Sequence, residues 1–157
     1  MKKLLLLPLL AMIFACGSKE NENAIKGLVP YDVTKNFENQ GFTFEKTRTE
    51  IGTSNKGVKN ENGINYTVSC FGSDYKSVES VNADIFIQGD KNIIAGEQFL
   101  IFTASLPYES SKPEVAAKWI QRNYNNDKKD TIIGDVKFTV LAPSKVVRRL
   151  LLEKVRE

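Results

Sequence analysis

The sequence predicts an α+β domain, in which an antiparallel meander sheet of about six strands carries two helices on one face. Two segments place apolar residues at helical spacing, and most of the others alternate apolar and polar residues as strands do. Turn-forming residues separate the alternating segments, which favours short connections between antiparallel neighbours. The predicted order of elements is α-β-β-β-β-α-β-β, the arrangement of a two-layer domain.

Two segments have the end signals of helices. Residues 31–40 lie between Pro30 and Gly41, and proline near the start with glycine past the end is the usual helix asymmetry. Residues 112–125 follow the pattern Ser-Lys-Pro-Glu at 111–114, which predicts a capping box with proline in the first turn. One face of this second helix is predicted to pack on the sheet through Val115, Ala116, Trp119, Ile120 and Tyr124.

The strands follow from alternation and from turn chemistry. They are predicted at residues 42–51, 64–70, 81–87, 99–106, 136–140 and 145–155. Residues 99–106 are apolar on both faces and suit a central strand, whereas residues 145–155 fit a helix or a strand, and we favour the strand. Residues 52–57 are predicted to form a polar loop, and Asn62-Gly63 a hairpin turn. The sheet face that is rich in Thr, Ser, Asn and charge is predicted to meet solvent or a partner.

The first fifteen residues have the composition of an export signal. Lys2 and Lys3 precede the apolar run LLLLPLLAMIFA at residues 4–15, and small residues follow. Twelve residues are too few to cross a bilayer, which needs about 20. The segment is therefore predicted to be a cleaved signal rather than a membrane span.

The end of this signal carries a more specific motif. Ile13, Phe14 and Ala15 precede Cys16, and this order resembles the lipobox of bacterial lipoproteins. The resemblance implies that Cys16 is acylated, so that outer-membrane lipid is a partner of the chain and the acyl chains form a lasting anchor. The alternative is a soluble secreted protein with an incidental cysteine.

The chain therefore divides into three predicted parts. Residues 1–15 are the signal peptide, residues 16–26 are the acylated cysteine and a flexible tether, and residues 27–157 are a single α+β domain. Gly17, in place of an aspartate that would resemble an inner-membrane retention signal, favours the outer membrane. Residues 19–22 (KENE) resemble the surface-export tether of lipoproteins of gut-type Gram-negative anaerobes, and a solvated spacer is the alternative. The predicted location is the outer membrane, on its periplasmic side or on the cell surface.

Charge and composition exclude several classes of function. The chain has 157 residues with 22 basic and 19 acidic side chains, and without the signal it keeps 20 basic and 19 acidic ones. A nearly neutral mature chain gives no reason to expect nucleic-acid binding. Because the sequence contains no histidine, it excludes Ser-His-Asp, Cys-His and His-metal sites. No cofactor signature occurs, and a non-enzymatic role is predicted.

A few residues are candidates for chemistry or modification. Cys70 lies in register with apolar strand residues, so it is predicted to be a buried core residue rather than a nucleophile. Asp127, Asp130 and Asp135 are clustered, but interspersed lysines indicate a solvated turn rather than a metal site. Thr131, in Asp-Thr-Ile, matches an O-glycosylation motif of the same gut-type Gram-negative anaerobes and is predicted in a polar loop.

The C-terminal segment is basic, and a charge-blunted edge strand is predicted rather than a lipid-binding patch. Its basic residues are Lys145, Arg148, Arg149, Lys154 and Arg156. The favoured function is a lipoprotein that binds another envelope protein or a glycan without catalysis. A carboxylate-dependent hydrolase and a purely structural envelope protein are the alternatives.

Overall fold

The computed structural model describes residues 21–88 and 93–155, and within them one antiparallel sheet carries helices on one face. The described helices are α1 (Pro30–Glu38), α2 (Ile93–Ala104) and α3 (Pro113–Asn123). The described strands are β1 (Thr43–Thr49), β2 (Gly52–Glu61), β3 (Ile64–Gly72), β4 (Ser80–Ile87), β5 (Lys128–Ile133), β6 (Val136–Leu141) and β7 (Val147–Lys154). The predicted α+β class is confirmed, with seven strands instead of about six and three helices instead of two.

The sheet joins two meanders and is open at both edges. Its strand order is β1-β2-β3-β4-β7-β6-β5, and all neighbours are antiparallel. The helices α2 and α3 connect β4 to β5, so the last three strands are added in reverse order and β7 pairs with β4 and β6. The strand predicted at residues 145–155 is therefore confirmed, but it lies in the middle of the sheet and not at an edge.

One turn and one side-chain contact explain why the first strands pair in this register. Asn62 and Gly63 form the predicted hairpin turn, with φ of 51° and 78°, values that asparagine and glycine tolerate best. In β2, a Cβ added to Gly57 would lie 2.5 Å from the Phe44 ring, so glycine makes room for this aromatic side chain of β1.

The strand predicted at residues 99–106 is wrong, because most of this segment belongs to helix α2. The helix is apolar around most of its circumference, and it contacts α3 as well as strands β4 and β7. Its buried residues share one face, but its outward face also carries apolar residues (Ile94, Ile101 and Phe102), so no polar stripe marks the helical period and the segment resembles a buried strand in sequence. Its Gly96 also permits close packing, since a Cβ there would lie 2.4 Å from the Tyr124 hydroxyl oxygen.

Two strands were missed for the opposite reason, because their polar residues hide the pattern. The loop predicted at residues 52–57 belongs to β2, where Thr53 and Asn55 are buried. The solvated turn predicted around Asp130 contains β5, a short edge strand whose first residues are charged. Thr131 therefore lies in a strand and not in the polar loop expected for it.

The two predicted helices are confirmed, but the capping box at residues 111–114 is not, and Val115, predicted to pack on the sheet, is 52% exposed. Helix α3 begins at Pro113 with Lys112 as its N-cap, and no side chain caps it. Proline disfavours helical dihedrals in the residue before it, so Lys112 takes φ −133° and ψ 75°. Ser111 instead donates its backbone N–H to the Tyr108 carbonyl in the preceding turn.

The two faces of the sheet differ sharply. We call the face covered by the helices the helix face, and the opposite one the outer face. Every buried apolar residue of the strands lies on the helix face. In β3, for example, Val68 and Cys70 lie on the helix face, whereas Thr67, Ser69 and Phe71 point outward.

The last residues of the predicted tether pack against the domain. Ile25 is buried and donates its N–H to the Val78 carbonyl at 2.7 Å. Asn21 Nδ2 lies within hydrogen-bond distance of Ser73, Ser77 and Glu79. The prediction of a flexible tether is therefore wrong for residues 21–26, whose apolar residue and amide have partners in the domain. The predicted signal, Cys16 and the rest of the tether lie outside the described residues.

Candidate functional site

The outer face is the largest surface of the sheet that no described element covers. A row of paired residues crosses its centre, from Ser69 through Asn82 and Leu151 to Thr139. Beside this row, Arg149 Nε lies 2.5 Å from Asp84 Oδ1. Apart from the half-buried Leu151, small and charged polar side chains thus occupy the central positions of this face.

One buried acceptor lies within this polar row. Asn82 Nδ2 donates to Asp84 Oδ2 at 3.0 Å, whereas Asn82 Oδ1 is buried and has no hydrogen-bond partner among the described residues. A buried polar atom normally has a partner, because leaving it unsatisfied costs about 1–3 kcal/mol. Asn82 Oδ1 is therefore an unsatisfied acceptor that its neighbours shield from the surface of the outer face.

Exposed apolar side chains flank the polar row. Val58, Phe71, Phe86 and Ile132 lie on the outer face and are each at least two-fifths exposed. Single exposed apolar residues are common on protein surfaces, but four on one open face form the anchors that protein interfaces use. This mixture of polar groups and apolar anchors suits a macromolecular partner.

A cavity of about 500 Å³, which we call the outer cavity, lies at one end of this face. Ser80, Glu153, Lys137 and Ile132 follow one another across four neighbouring strands and form its floor. The other lining residues are Asn23, Glu79, Lys154 and Val155. The cavity thus combines two carboxylates, two ammonium groups, an amide and a hydroxyl with one exposed aliphatic wall.

Both lysines of the outer cavity have acidic partners next to it. Lys154 Nζ lies 2.5 Å from Asp135 Oδ2, and Lys137 Nζ lies 3.3 Å from Asp130 Oδ2. Burial alone would raise the pKa of Asp135, but the hydrogen bonds from Lys154 and Ser110 outweigh it, so this pKa is lowered. The pKa of Asp130 is lowered in the same way by Lys137 and Thr139.

Glu79 is held by hydrogen bonds at the edge of the outer cavity. Its Oε1 accepts from Asn21 Nδ2 and from the Ser73 N–H, both at 2.9 Å. Burial alone would raise the pKa of Glu79, but these hydrogen bonds overcome it and the pKa is lowered. The Glu79 carboxylate is therefore kept ionised, and it fixes the N-terminal segment to the loop between β3 and β4.

Ser110, Asp135 and Lys154 form a short chain of polar contacts that ties the layers together. Ser110 Oγ donates to Asp135 Oδ1, and the Asp135 N–H donates back to Ser110 Oγ at 3.1 Å. The adjacent Gly134 has φ 67°, and a Cβ there would lie 2.4 Å from the Ser110 carbonyl oxygen. Because the serine donates to an ionised carboxylate, this arrangement holds the loop between α2 and α3 on the β5–β6 turn.

A second cavity of about 390 Å³, the aromatic cleft, lies on the helix face between α1 and α2. Its lining residues are Gln40, Phe42, Lys59, Glu61, Tyr66, Ala95, Gln98, Phe99 and Phe102. The rings of Phe42 and Phe99 are stacked with centroids 5.6 Å apart, so each covers a face of the other. Burial, with a smaller contribution from Glu61, raises the pKa of Tyr66. The aromatic residues of this cleft mainly pack against one another as part of the core.

The structure places Cys70, Trp119 and Tyr124 in the core, as predicted. Cys70 is a buried free thiol, and burial raises its pKa, which disfavours the reactive thiolate. Tyr124 is buried, and Trp119 contacts the Phe138 ring with centroids 6.3 Å apart. Burial also raises the pKa of Tyr124 to about 12. None of these side chains reaches the outer face.

The predicted acidic cluster and basic segment are dispersed over the fold. Asp130 and Asp135 have separate lysine partners. Within residues 21–88 and 93–155, no group of three or more His, Cys, Asp or Glu side chains is placed to hold a metal ion. Arg148 turns into the helix face and donates to the Asn125 amide oxygen at 3.0 Å, whereas Arg149 pairs with an acid on the outer face. Arg148 and Arg149 therefore lie on opposite faces of the sheet, and Arg156 lies outside the described residues.

The outer cavity itself was not predicted. Its residues come from the N-terminal segment, from the start of β4 and from the three C-terminal strands. Alternation identified the polar face, but the cavity depends on the strand order, which brings Ser80 next to Glu153. In the described part of the chain, no helix has the length and apolar character to span a bilayer. Comparisons with family models, with curated proteins and with solved structures each find no match to this chain.

Proposed function

We propose that this protein is a membrane-anchored lipoprotein of the bacterial envelope that binds another envelope component through its outer face. The observation that carries the proposal is the polar outer face, which no described element covers and which contains the outer cavity. Sheets of this kind expose one face to solvent or to a partner. The partner is an envelope protein or a glycan, because the face offers amides, hydroxyls and charges beside a few apolar anchors.

The anchor in this proposal comes from the sequence. Cys16 follows an apolar run and a small residue, in the order that resembles a lipobox. Acylation there would hold the domain at the outer membrane, and a non-enzymatic binding role needs no further cofactor.

Pull-down from the native envelope tests the proposal. Lys137→Glu reverses a charge in the outer cavity, and Lys118→Glu makes the same change at an exposed position of α3. We expect the wild-type chain and the Lys118 variant to recover the same partner, and the Lys137 variant to lose it. Equal recovery by both variants would contradict a role for the outer cavity.

A carboxylate-dependent hydrolase is the second candidate, because Glu79 and Glu153 line the same cavity. Paired carboxylates are the catalytic groups of most glycosidases. Glu153→Gln removes one carboxylate while keeping the size of the side chain. If envelope glycans are cleaved by the wild-type chain and not by this variant, the protein is a hydrolase; if neither cleaves them, the binding role stands.

A further inference from the structure

One end of the sheet, which we call the anchor end, exposes an isoleucine. The anchor end consists of the β1–β2 turn, the loop at residues 73–79 and the packed N-terminal segment at residues 21–26. Ile51 lies in the β1–β2 turn and is 92% exposed. Turns of this kind favour glycine, asparagine and aspartate, and an isoleucine there gains nothing from the fold of the domain.

The backbone at Gly52, next to Ile51, nevertheless packs closely on the end of β3. Gly52 has φ 147°, and a Cβ added to it would lie 2.3 Å from the Gly72 carbonyl oxygen. The turn therefore packs closely on the end of β3, and the Ile51 side chain is exposed beyond it. A single exposed apolar residue is common on protein surfaces, so Ile51 gains meaning only from the other features of this end.

A tyrosine with two cations lies on the same end. Tyr75 is 44% exposed, and Lys46 Nζ lies 4.0 Å from the centroid of its ring. Arg48 Cζ lies 5.5 Å from the same centroid. Asp74 fixes this loop, since its Oδ1 accepts the backbone N–H groups of Lys76 and Ser77, both at 2.8 Å. Tyrosine and basic residues are enriched where proteins meet lipid headgroups.

The chain connects this end to the predicted site of acylation by a short path. Asn21 Nδ2 donates to Ser73 Oγ at 2.9 Å, and the Ser73 Cα lies 3.1 Å from a Cβ added to Gly52. Asn21 is five residues after Cys16, and a fully extended chain of that length spans at most about 18 Å. An acylated Cys16 would therefore keep the anchor end close to the bilayer.

We infer that the anchor end rests on the lipid bilayer, with Ile51 inserted at the interface and Tyr75 and its two cations at the headgroups. The inference rests on the proposed function, because it needs the acyl anchor on Cys16. Interfacial side chains reach about 5–10 Å into the boundary between headgroups and acyl chains, which a turn at the end of a sheet can do. Since Ser80 and Glu153 lie at this same end, the outer cavity would open close to the membrane surface.

Quenching of a probe by lipid tests the inference on the full acylated chain. Ile51→Cys and Ile94→Cys each introduce one accessible thiol, because Cys70 is 2% exposed and Cys16 is acylated. Ile94 is a matched control, being an exposed isoleucine (76%) at the start of α2, near the opposite end of the sheet. The eight residues of β4 separate the two ends by about 26 Å.

Each variant is labelled with a fluorescent dye and reconstituted in vesicles whose acyl chains carry a quencher. We expect loss of fluorescence at position 51 and none at position 94. Equal quenching at both positions, or stronger quenching at position 94, would overturn the inference. Detergent phase partition of the same samples tests the acyl anchor separately. A chain found in the aqueous phase would overturn both the anchor and this inference. An anchored chain without quenching at position 51 would overturn this inference alone.

Discussion

The helix face and the outer face are built from the same strands, yet helices cover the first and no described element covers the second. In β3, the residues that alternate toward the helices include Val68 and Cys70, which are almost fully buried. Their outward neighbours are Thr67, Ser69 and Phe71, and these meet no described helix. Burial of apolar area stabilises the fold at about 25 cal/mol per Å². The helix face therefore provides most of the stabilising burial, whereas the outer face is the surface to which we assign the proposed binding.

The largest effect should come from an aromatic residue of α1, in the helical layer that packs on the helix face. Phe37 is fully buried, and its ring centroid lies 5.0 Å from that of Phe102 and 5.2 Å from that of Phe42. We expect Phe37→Ala to lower the free energy of unfolding by about 3–5 kcal/mol, because it leaves a cavity. Urea unfolding measures this change.

The matched control on the outer face is Phe86→Ala, since this phenylalanine is 45% exposed. We expect it to change the free energy of unfolding by no more than about 0.5 kcal/mol, as at most surface positions. Losses of the same size for Phe37→Ala and Phe86→Ala would contradict the division of roles between the two faces.

A smaller effect should come from the buried thiol. Cys70→Ser places a hydroxyl on the helix face, where the described neighbour of the sulfur is Asn55 Nδ2 at 3.7 Å. We expect a loss of about 1–3 kcal/mol in the free energy of unfolding, because the hydroxyl is buried without adequate hydrogen bonds. Thermal unfolding measures it, and rapid reaction of the native Cys70 with a thiol reagent would contradict its burial.

The contacts of Asp135 with Ser110 and Lys154 should make the free energy of unfolding depend on pH. Asp135→Asn removes the charge that Lys154 and Ser110 contact, and we expect it to cost about 1–2 kcal/mol at neutral pH. A carboxyl with a lowered native pKa stabilises the fold above its unfolded value of 3.8, and this contribution is lost as the pH falls below that value. Urea unfolding at several pH values should therefore show the wild-type chain and the variant converging under acid. A constant difference down to pH 3 would contradict the role of Asp135.

The last prediction concerns the glycan expected on Thr131, and mass rather than stability tests it. Thr131 is half-buried on the edge strand β5, beside Phe138 of β6. We expect the chain from its native host to exceed its calculated mass by a glycan that Thr131→Ala removes. Intact-mass spectrometry checks this, and an identical modification on the variant would place the glycan elsewhere.

The sequence could predict the α+β class because β3, β4 and β6 alternate clearly. It could not identify α2, because apolar residues lie on its outward face as well as on its buried face and leave no polar stripe. It also could not identify β2, where buried Thr53 and Asn55 break the apolar pattern. The outer cavity depends on contacts between distant segments, such as that of Ser80 with Glu153, and local periodicity carries no record of such contacts.

Photo-crosslinking in the native envelope tests the central claim most directly. A photoreactive residue replaces Phe86 on the outer face in one variant and Val115, which is 52% exposed on α3, in another. The two positions have similar exposure and lie on opposite layers of the domain. We predict a discrete crosslinked partner from position 86 and none from position 115. A partner captured from position 115 and not from position 86 would contradict binding through the outer face.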